Sequence, residues 1–300
     1  MPEKNINIKR RDISSYPPEI LDILLRDRTS KKNIIWATKD YQQFGDSYKA
    51  ECEIKSELLV RENAYMIQPR VMKSQMSQLC RRKEKAEVFT PAWICNAQNN
   101  QIDNVWFGRT GIFNIECYHS WKINSDKICF ADKGEKTWKK YVESPRMEIA
   151  CGEAPYIVSR YDVVNGRSIP VEERIGLLDR KLRVINENIA APDEWYGWVK
   201  RAYQSVYGFE FQGDSLLIAR ENLLFTYIEY LSNRWDRTPT VEELKEIAMI
   251  ISWNLWQMDG LKFTVPYGDV SGDNRYCIIK DWKAARWKKK AIKEYYSLVN

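Results

Sequence analysis

The stretch EIACGEAPYI at residues 148–157 constrains the fold of this chain more than any other. It follows a strand-like segment and combines an acidic residue, small residues, the pair Cys151-Gly152 and then Pro155. Glycine lets the backbone turn sharply and approach a ligand closely, as at the first turn of nucleotide-binding sheets. The stretch therefore predicts a strand that ends in a tight turn of the kind that borders a cofactor.

Composition indicates an ordered chain with a core of its own, because 44% of the 300 residues are apolar and there are 12 Trp and 17 Tyr. No apolar run approaches the roughly 20 residues of a membrane span. The start MPEKNINIKRRD lacks the apolar core of a signal peptide. We therefore expect a cytoplasmic protein with no membrane contact.

Charge and metal-ligand content limit the chemistry. The net charge of +6, from 47 basic and 41 acidic residues, permits contact with nucleic acid without requiring it. The seven cysteines form no C-x-x-C pair and His119 is the only histidine, so we expect no metal site. His119, in ECYHSWKI, is expected on the surface of a strand.

Hydrophobic patterning divides the chain into three regions of a mixed α/β fold. Residues 1–70 combine short helical and strand patterns, 71–210 form a core with a β-rich insertion at 100–145, and 211–300 are mostly helical. Helices are predicted at 213–235, at 238–258 and along the basic C-terminal segment from Trp282. The second of these begins with a capping box, which is formed by Thr240 and Glu243.

Two motifs carry chemical information besides the opening turn. In EVFTP, Thr90 is suited to cap a helix, Pro91 suits a first helical turn and Phe89 offers an aromatic wall. In RIGLLDRKLRVI we predict a second strand that ends at Asp179. An acid that follows a glycine turn by about 20 to 30 residues is placed to hold the hydroxyl pair of a ribose.

EVFTP followed by ACGEAPY resembles the adenine-specific DNA methyltransferases, over residues 80–185. The resemblance implies a partial Rossmann-like methyltransferase-type core with a bound S-adenosylmethionine. The residues that it places around this cofactor are Phe89, Thr90, Pro91, Gly152, Glu153 and Asp179.

The chain also departs from that family. It has no Asn/Asp-Pro-Pro-aromatic loop after Gly152 to bind a flipped adenine, and its only Pro-Pro pair is Pro17-Pro18. Ala154 stands where the family keeps a second glycine, and Pro155 removes an amide donor. We therefore expect no catalytic residues.

The longer strings KAEVFTP, CGEAPY and RIGLLDRKLRV resemble restriction-modification methylase subunits of bacteria and phages. Size, mixed organisation and the altered pocket are also similar to phage proteins that inhibit the Gabija defence system. This second resemblance implies a non-catalytic inhibitor, without a cofactor, that acts in the host bacterial cytoplasm. It would bind a bacterial nuclease–helicase complex in several copies and block DNA binding and cleavage, with Cys277 as a candidate contact between copies.

Two alternatives stay open beside the inhibitor. One is a divergent DNA adenine methyltransferase that uses S-adenosylmethionine, and the other is a sequence-tolerant DNA-binding protein, so that direct DNA contact is undecided. The aromatic stretch at 195–214 predicts buried core first, then a protein-binding surface, then a platform for stacking bases.

Overall fold

The computed structural model describes residues 17–59, 61–85, 87–268, 276–287 and 289–299, so the first 16 residues of the predicted N-terminal region lie outside it. Within these ranges the fold is mixed α/β. Its helices are α1 (Pro18–Leu25), α2 (Gln75–Lys85), α3 (Ala92–Phe107), α4 (Trp138–Glu143), α5 (Leu177–Asn188), α6 (Pro192–Tyr203), α7 (Gly213–Trp235), α8 (Val241–Asn254), α9 (Trp282–Arg286) and α10 (Tyr296–Val299). Its strands are β1 (Asn114–Cys117), β2 (Ser120–Ile123), β3 (Arg146–Glu148), β4 (Val206–Glu210), β5 (Leu255–Gln257), β6 (Ile278–Lys280) and β7 (Ile292–Glu294).

The centre of the fold is a parallel sheet of three strands in the order β3-β4-β5. Helices α5 and α6 connect β3 to β4, and helices α7 and α8 connect β4 to β5. Parallel neighbours need such crossover connections, because both strands run in the same direction. All three strands consequently end at one side of the sheet, which we call the carboxyl edge.

The two faces of this sheet pack against different partners, as the two-residue period of a strand requires. Val206 and Leu255 belong to the large cluster of buried residues that the helices form. Phe209 and Trp256 point into a second, smaller cluster with residues of the β6–β7 hairpin. The sheet is therefore covered on both faces, which is usual for parallel strands.

The N-terminal region docks on the carboxyl side of the sheet. The amide and carbonyl of Ile35 bond to the side chain of Gln257, at 2.8 Å each, and the amide of Gly213 donates to the carbonyl of Trp36. The large buried cluster draws members from all three predicted regions, from Ile20 to Leu255. The boundaries predicted near residues 70 and 210 stay predictions.

Several sequence-based predictions of elements are confirmed. Helix α7 coincides with the predicted 213–235, and α8 begins with the capping box, in which Thr240 and Glu243 exchange hydrogen bonds of 3.2 and 2.8 Å. In the aromatic stretch, Trp195 and Tyr203 are fully buried, so this stretch is core and not an open stacking platform. Among the described residues, no helix has the length and apolar character to cross a bilayer.

Three predictions of elements are wrong, besides the strand predicted to end at Asp179. The helix predicted at 238–258 ends at Asn254, because Leu255–Gln257 form β5. The region 100–145 is only partly β: α3 extends to Phe107, α4 occupies 138–143, and its strands are the short hairpin β1–β2. The C-terminal segment is not one amphipathic helix, because it consists of α9, β7 and α10. Pairing of β7 with β6 places Tyr295 in the small buried cluster, and this tertiary contact outweighs the helical pattern.

The placement of Cys277 contradicts its predicted role as a contact between copies. Its side chain is fully buried in the small cluster, and its Sγ lies 3.4 Å from the carbonyl oxygen of Gln257, to which it donates. A thiol that is enclosed by its own chain cannot contact a second copy without unfolding of this region.

Candidate functional site

The turn after β3 is built as the sequence predicts. Ala150, Gly152 and Ala154 all have left-handed backbone conformations, with φ of 49°, 52° and 63°. The turn is fastened to the neighbouring strand, because the amide of Cys151 donates to the carbonyl of Phe209 at 2.8 Å. The left-handed geometry, which glycine adopts most easily, folds the chain back sharply at the carboxyl edge.

Glu210, the last residue of β4, meets this turn. One oxygen of its carboxylate accepts from the amide of Gly152 at 2.8 Å, and the other accepts from the amides of Phe211 and Gln212. Burial raises the pKa of Glu210, and these three amides offset part of the rise. A carboxylate has about four lone-pair sites, so one acceptor site is left for a ligand.

Phe89 covers the turn from the other side. A methyl group added at Gly152 would lie 3.3 Å from Cε1 of the Phe89 ring, which shows how closely the ring and the turn approach each other. The guanidinium carbon of Arg70 lies 5.2 Å from the centre of the same ring. The Nε of Arg70 is buried and has no hydrogen-bond partner among the described residues.

A buried ionic cluster fixes the segment that leads to Phe89. Arg81, on α2, donates to Asp214 and Gln212 at the start of α7 and to Glu87. Burial alone would raise the pKa of Asp214, but Lys73 and Arg81 beside it lower the pKa below its ordinary value. The cluster therefore anchors α2 to α7, the helix that follows Glu210. Phe89 comes shortly after the end of α2 in the chain.

The third strand completes the edge. The amide of Met258, just after β5, donates to the carbonyl of Glu210 at 3.0 Å. Asp259 comes next, and one oxygen of its carboxylate caps the turn by accepting from the amides at 261 and 262. The rings of Phe211 and Tyr267 meet edge to face, with centres 5.9 Å apart. Acidic and aromatic side chains thus follow the ends of β4 and β5.

Asp179 is not part of this edge, contrary to the sequence-based prediction. The segment around it is the helix α5 and not a strand, because its buried residues Leu178, Leu182 and Ile185 follow a helical spacing. The carboxylate of Asp179 accepts from the amide and hydroxyl of Ser159, at 2.8 and 3.0 Å, and from the amide at 176. It fixes the beginning of α5.

Glu153 has contacts within the chain, and Thr90 lacks its predicted capping role. One oxygen of Glu153 accepts from the amide of Arg70 at 2.5 Å, and the other accepts from the hydroxyl of Tyr161 at 2.6 Å. Thr90 does not cap α3, because Pro91 occupies the N-cap position. The first amide of the helix donates instead to a carboxylate oxygen 70 residues further on, that of Asp162.

The methyl group of Ala154 does not obstruct the turn. Ala154 is fully buried and belongs to the large core cluster, so its side chain points into the molecule. The amide of Ala154 donates back to the carbonyl of Cys151 at 2.7 Å. The methyl group therefore packs in the core, and its effect on the approach of a ligand stays a prediction.

Of the predicted site residues, the structure brings Phe89 and Gly152 together. The residues that sequence reasoning missed are Glu210 and Arg70. A usable signal for Glu210 exists: VYGFE alternates like a strand, and Gly213 opens a long helix three residues later. Within the described ranges, no group of three or more His, Cys, Asp or Glu side chains is arranged to hold a metal ion.

Comparison with known proteins gave no matching family model, no matching curated protein and no matching solved structure. The chemistry of the carboxyl edge must therefore be inferred from the residues themselves.

Proposed function

We propose that the chain binds S-adenosylmethionine at the carboxyl edge of a partial Rossmann-like core, as a divergent protein of the DNA adenine methyltransferase type. One observation carries the proposal: Glu210, which ends the second parallel strand, bonds to Gly152 in the turn after the first strand. Open parallel sheets bind nucleotides outside the carboxyl ends of their strands, with glycine next to the ligand and an acid on the ribose.

The residues of the edge suit the three parts of this cofactor. Glu210 has an acceptor site left for a ribose hydroxyl, since three of about four lone-pair sites are used by amides. Arg70 has a buried N–H without a partner among the described residues, which suits the carboxylate of the methionine part. Phe89 supplies an apolar wall between them. When bound, the cofactor would supply an activated methyl group.

The proposal concerns cofactor binding and assigns no methyl-transfer step to these residues. The sequence contains no Asn/Asp-Pro-Pro-aromatic loop after Gly152, so a group that would hold a flipped adenine is not identified.

Calorimetric titration with S-adenosylmethionine tests the proposal, with two matched acids. We expect Glu210→Gln to weaken binding at least tenfold, because a hydrogen bond to a charged group contributes about 1.5–3 kcal/mol. Asp179→Asn is the control, since Asp179 also accepts three hydrogen bonds but lies at the start of α5. It should bind as the wild type does and lose stability to urea. Absence of binding by the wild type, or equal loss in both variants, would contradict the proposal.

The role of Arg70 can be tested separately from that of Glu210 by comparing two ligands. Methylthioadenosine lacks the carboxylate of S-adenosylmethionine, so the wild type should bind it more weakly. In Arg70→Met, this preference should disappear while binding of methylthioadenosine is kept. A preference that survives the substitution would remove Arg70 from the site.

The sequence-based hypothesis of a non-catalytic defence inhibitor stays a prediction, together with its nuclease–helicase partner and its assembly in several copies. No contact among the described residues favours it. Co-purification of a nuclease from a bacterial lysate, followed by sizing of the complex, is its test.

A further inference from the structure

A short column of stacked rings lies on the surface beside α3. The Tyr118 and His119 rings are 4.1 Å apart with 18° between their planes, and Trp93 continues the column at 4.5 Å and 27° from His119. Tyr118 and His119 form the turn between β1 and β2, so His119 lies in a turn and not on a strand as predicted. Trp93 lies in the first turn of α3. Tyr118 is 90% exposed, so the column ends in a ring that is open to solvent.

The backbone holds this column at some expense of stability. His119 has a φ of 48°, a left-handed conformation that costs a non-glycine residue roughly 1 kcal/mol. In this conformation the imidazole lies between the rings of Trp93 and Tyr118. Strain of this kind is often retained where a side chain must face a ligand.

A cavity of about 690 Å³ adjoins the column, and Trp93 and His119 form part of its wall. This volume lies within the range of about 300–1,000 Å³ that small-molecule sites have. Trp121 contributes a further ring, which is fixed because its indole N–H donates to the carbonyl of Glu173 at 2.9 Å. Lys122 and Arg167 line the same cavity and are exposed.

We propose that this face binds unpaired nucleotides of a single-stranded nucleic acid. The open ring of Tyr118 takes a base by stacking, and the cations of Lys122 and Arg167 bind the adjacent phosphates. The carboxylate of Glu172, also on the wall, accepts from the side chain of Asn233 at 2.7 Å and keeps acceptor sites that suit the exocyclic amino group of a base. A duplex is a poorer ligand, because its bases already stack on one another.

The proposed face is separate from the carboxyl edge, although Pro91, which follows Phe89 by two residues, lines the cavity. The inference does not rest on binding of S-adenosylmethionine. Loss of nucleic-acid binding and loss of cofactor binding are measured with different variants, so either proposal can fail alone.

Fluorescence anisotropy with labelled oligonucleotides tests the face. The ligands to compare at low salt are single-stranded DNA of about 12 nucleotides, RNA of the same length and a DNA duplex. Tyr118→Ala should weaken binding of the single strands at least fivefold, since stacking of one base contributes about 1–3 kcal/mol. Tyr118→Phe should keep it. Phe44→Ala is the control, because Phe44 is also an exposed ring, at 52%, but is not part of the column and contacts the ring of Tyr48 instead.

Salt dependence tests the cations separately. Lys122→Gln and Arg167→Gln should each lower the slope of log affinity against log salt by about 1, whereas Lys55→Gln, an exposed lysine elsewhere, should not. Three results would overturn the proposal: no binding of single strands at low salt, tighter binding of the duplex, or full binding by Tyr118→Ala. The DNA and RNA arms show which nucleic acid this face prefers.

Discussion

Two buried acids in this molecule have nearly the same hydrogen bonds and different positions. Asp179, at the start of α5, accepts from the amide and hydroxyl of Ser159 and from the amide of Gly176. Glu210, at the carboxyl edge, accepts from the amide of Gly152 and from the first two amides after β4. Both are almost inaccessible to solvent. The number of hydrogen bonds therefore does not distinguish a structural acid from one that we propose to bind a ligand.

What distinguishes them is topology. Asp179 belongs to the crossover between two strands, so its contacts join one end of α5 to the loop before it. Glu210 belongs to a strand end, where neighbouring parallel strands also deliver the glycine turn and Asp259. A ligand at the carboxyl edge meets residues from several strands at once, and a helix start inside a crossover does not offer this.

The largest expected effect on the free energy of unfolding comes from substituting a glycine in each of the two regions. A methyl group at Gly176 would lie 2.4 Å from the carbonyl oxygen of Ile157, whereas one at Gly152 would lie 3.3 Å from the ring of Phe89. We expect Gly176→Ala to lower the free energy of unfolding by about 3 kcal/mol, because the main chain of Ile157 must move. Gly152→Ala should lower it by about 1 kcal/mol, from left-handed strain. Urea unfolding measures both.

Gly197→Ala is the matched control for these two substitutions. Gly197 lies inside α6, and a methyl group there meets no atom within 4 Å. The replacement should stabilise the protein by about 0.5–1 kcal/mol, as alanine does in a helix interior. If Gly176→Ala were as stable as the wild type, the inference that the start of α5 has no room for a methyl group would be wrong.

The sequence was sufficient for the local features of the carboxyl edge. It predicted the strand, the turn at Gly152 and the helix that follows Phe89, because glycine and proline have strong conformational preferences of their own. Capping by Thr240 and Glu243 was predicted for the same reason. Each of these features is decided within a few residues of the chain.

The sequence was insufficient where distant residues decide the structure. The acid that meets Gly152 lies 58 residues away, because two helices separate β3 from β4, and a spacing rule for one helix selects Asp179 instead. Likewise, the cap of α3 comes from Asp162 and not from the adjacent Thr90. Such pairings depend on how the crossovers pack, which short motifs do not encode.

A second prediction concerns the pH dependence of stability, which Glu148 at the end of β3 should influence. Burial raises the pKa of Glu148, the last residue of β3, well above its usual value of 4.5. The amides of Tyr156 and Ile157 offset part of this rise, and the charge of Glu210 adds to it. Because the folded state then holds the proton more tightly than the unfolded state, the contribution of Glu148 to stability is largest at acidic pH. It falls as the pH rises from about 4.5 through the folded-state pKa.

Glu148→Gln should flatten this profile. Above the folded-state pKa the variant should exceed the wild type by about 1.4 kcal/mol for each unit by which the pKa is raised. Urea unfolding at a series of pH values measures the difference, and Glu57→Gln is an exposed control that should keep the wild-type profile. A Glu148→Gln profile that falls as steeply as the wild type would place the titrating group elsewhere.

The smallest expected effect concerns Ala154, where the resemblance to methyltransferases calls for glycine. Its φ of 63° is left-handed, so Ala154→Gly relieves roughly 1 kcal/mol of strain. Two terms oppose this gain: glycine adds about 0.4–1 kcal/mol of unfolded-state entropy, and the buried methyl group is worth about 0.8 kcal/mol. We expect a net loss of stability below about 1 kcal/mol and unchanged affinity for S-adenosylmethionine, because the methyl group points into the core. A clear gain in affinity would show instead that the methyl group limits access to the turn, and that the carboxyl edge differs from a methyltransferase site at this position.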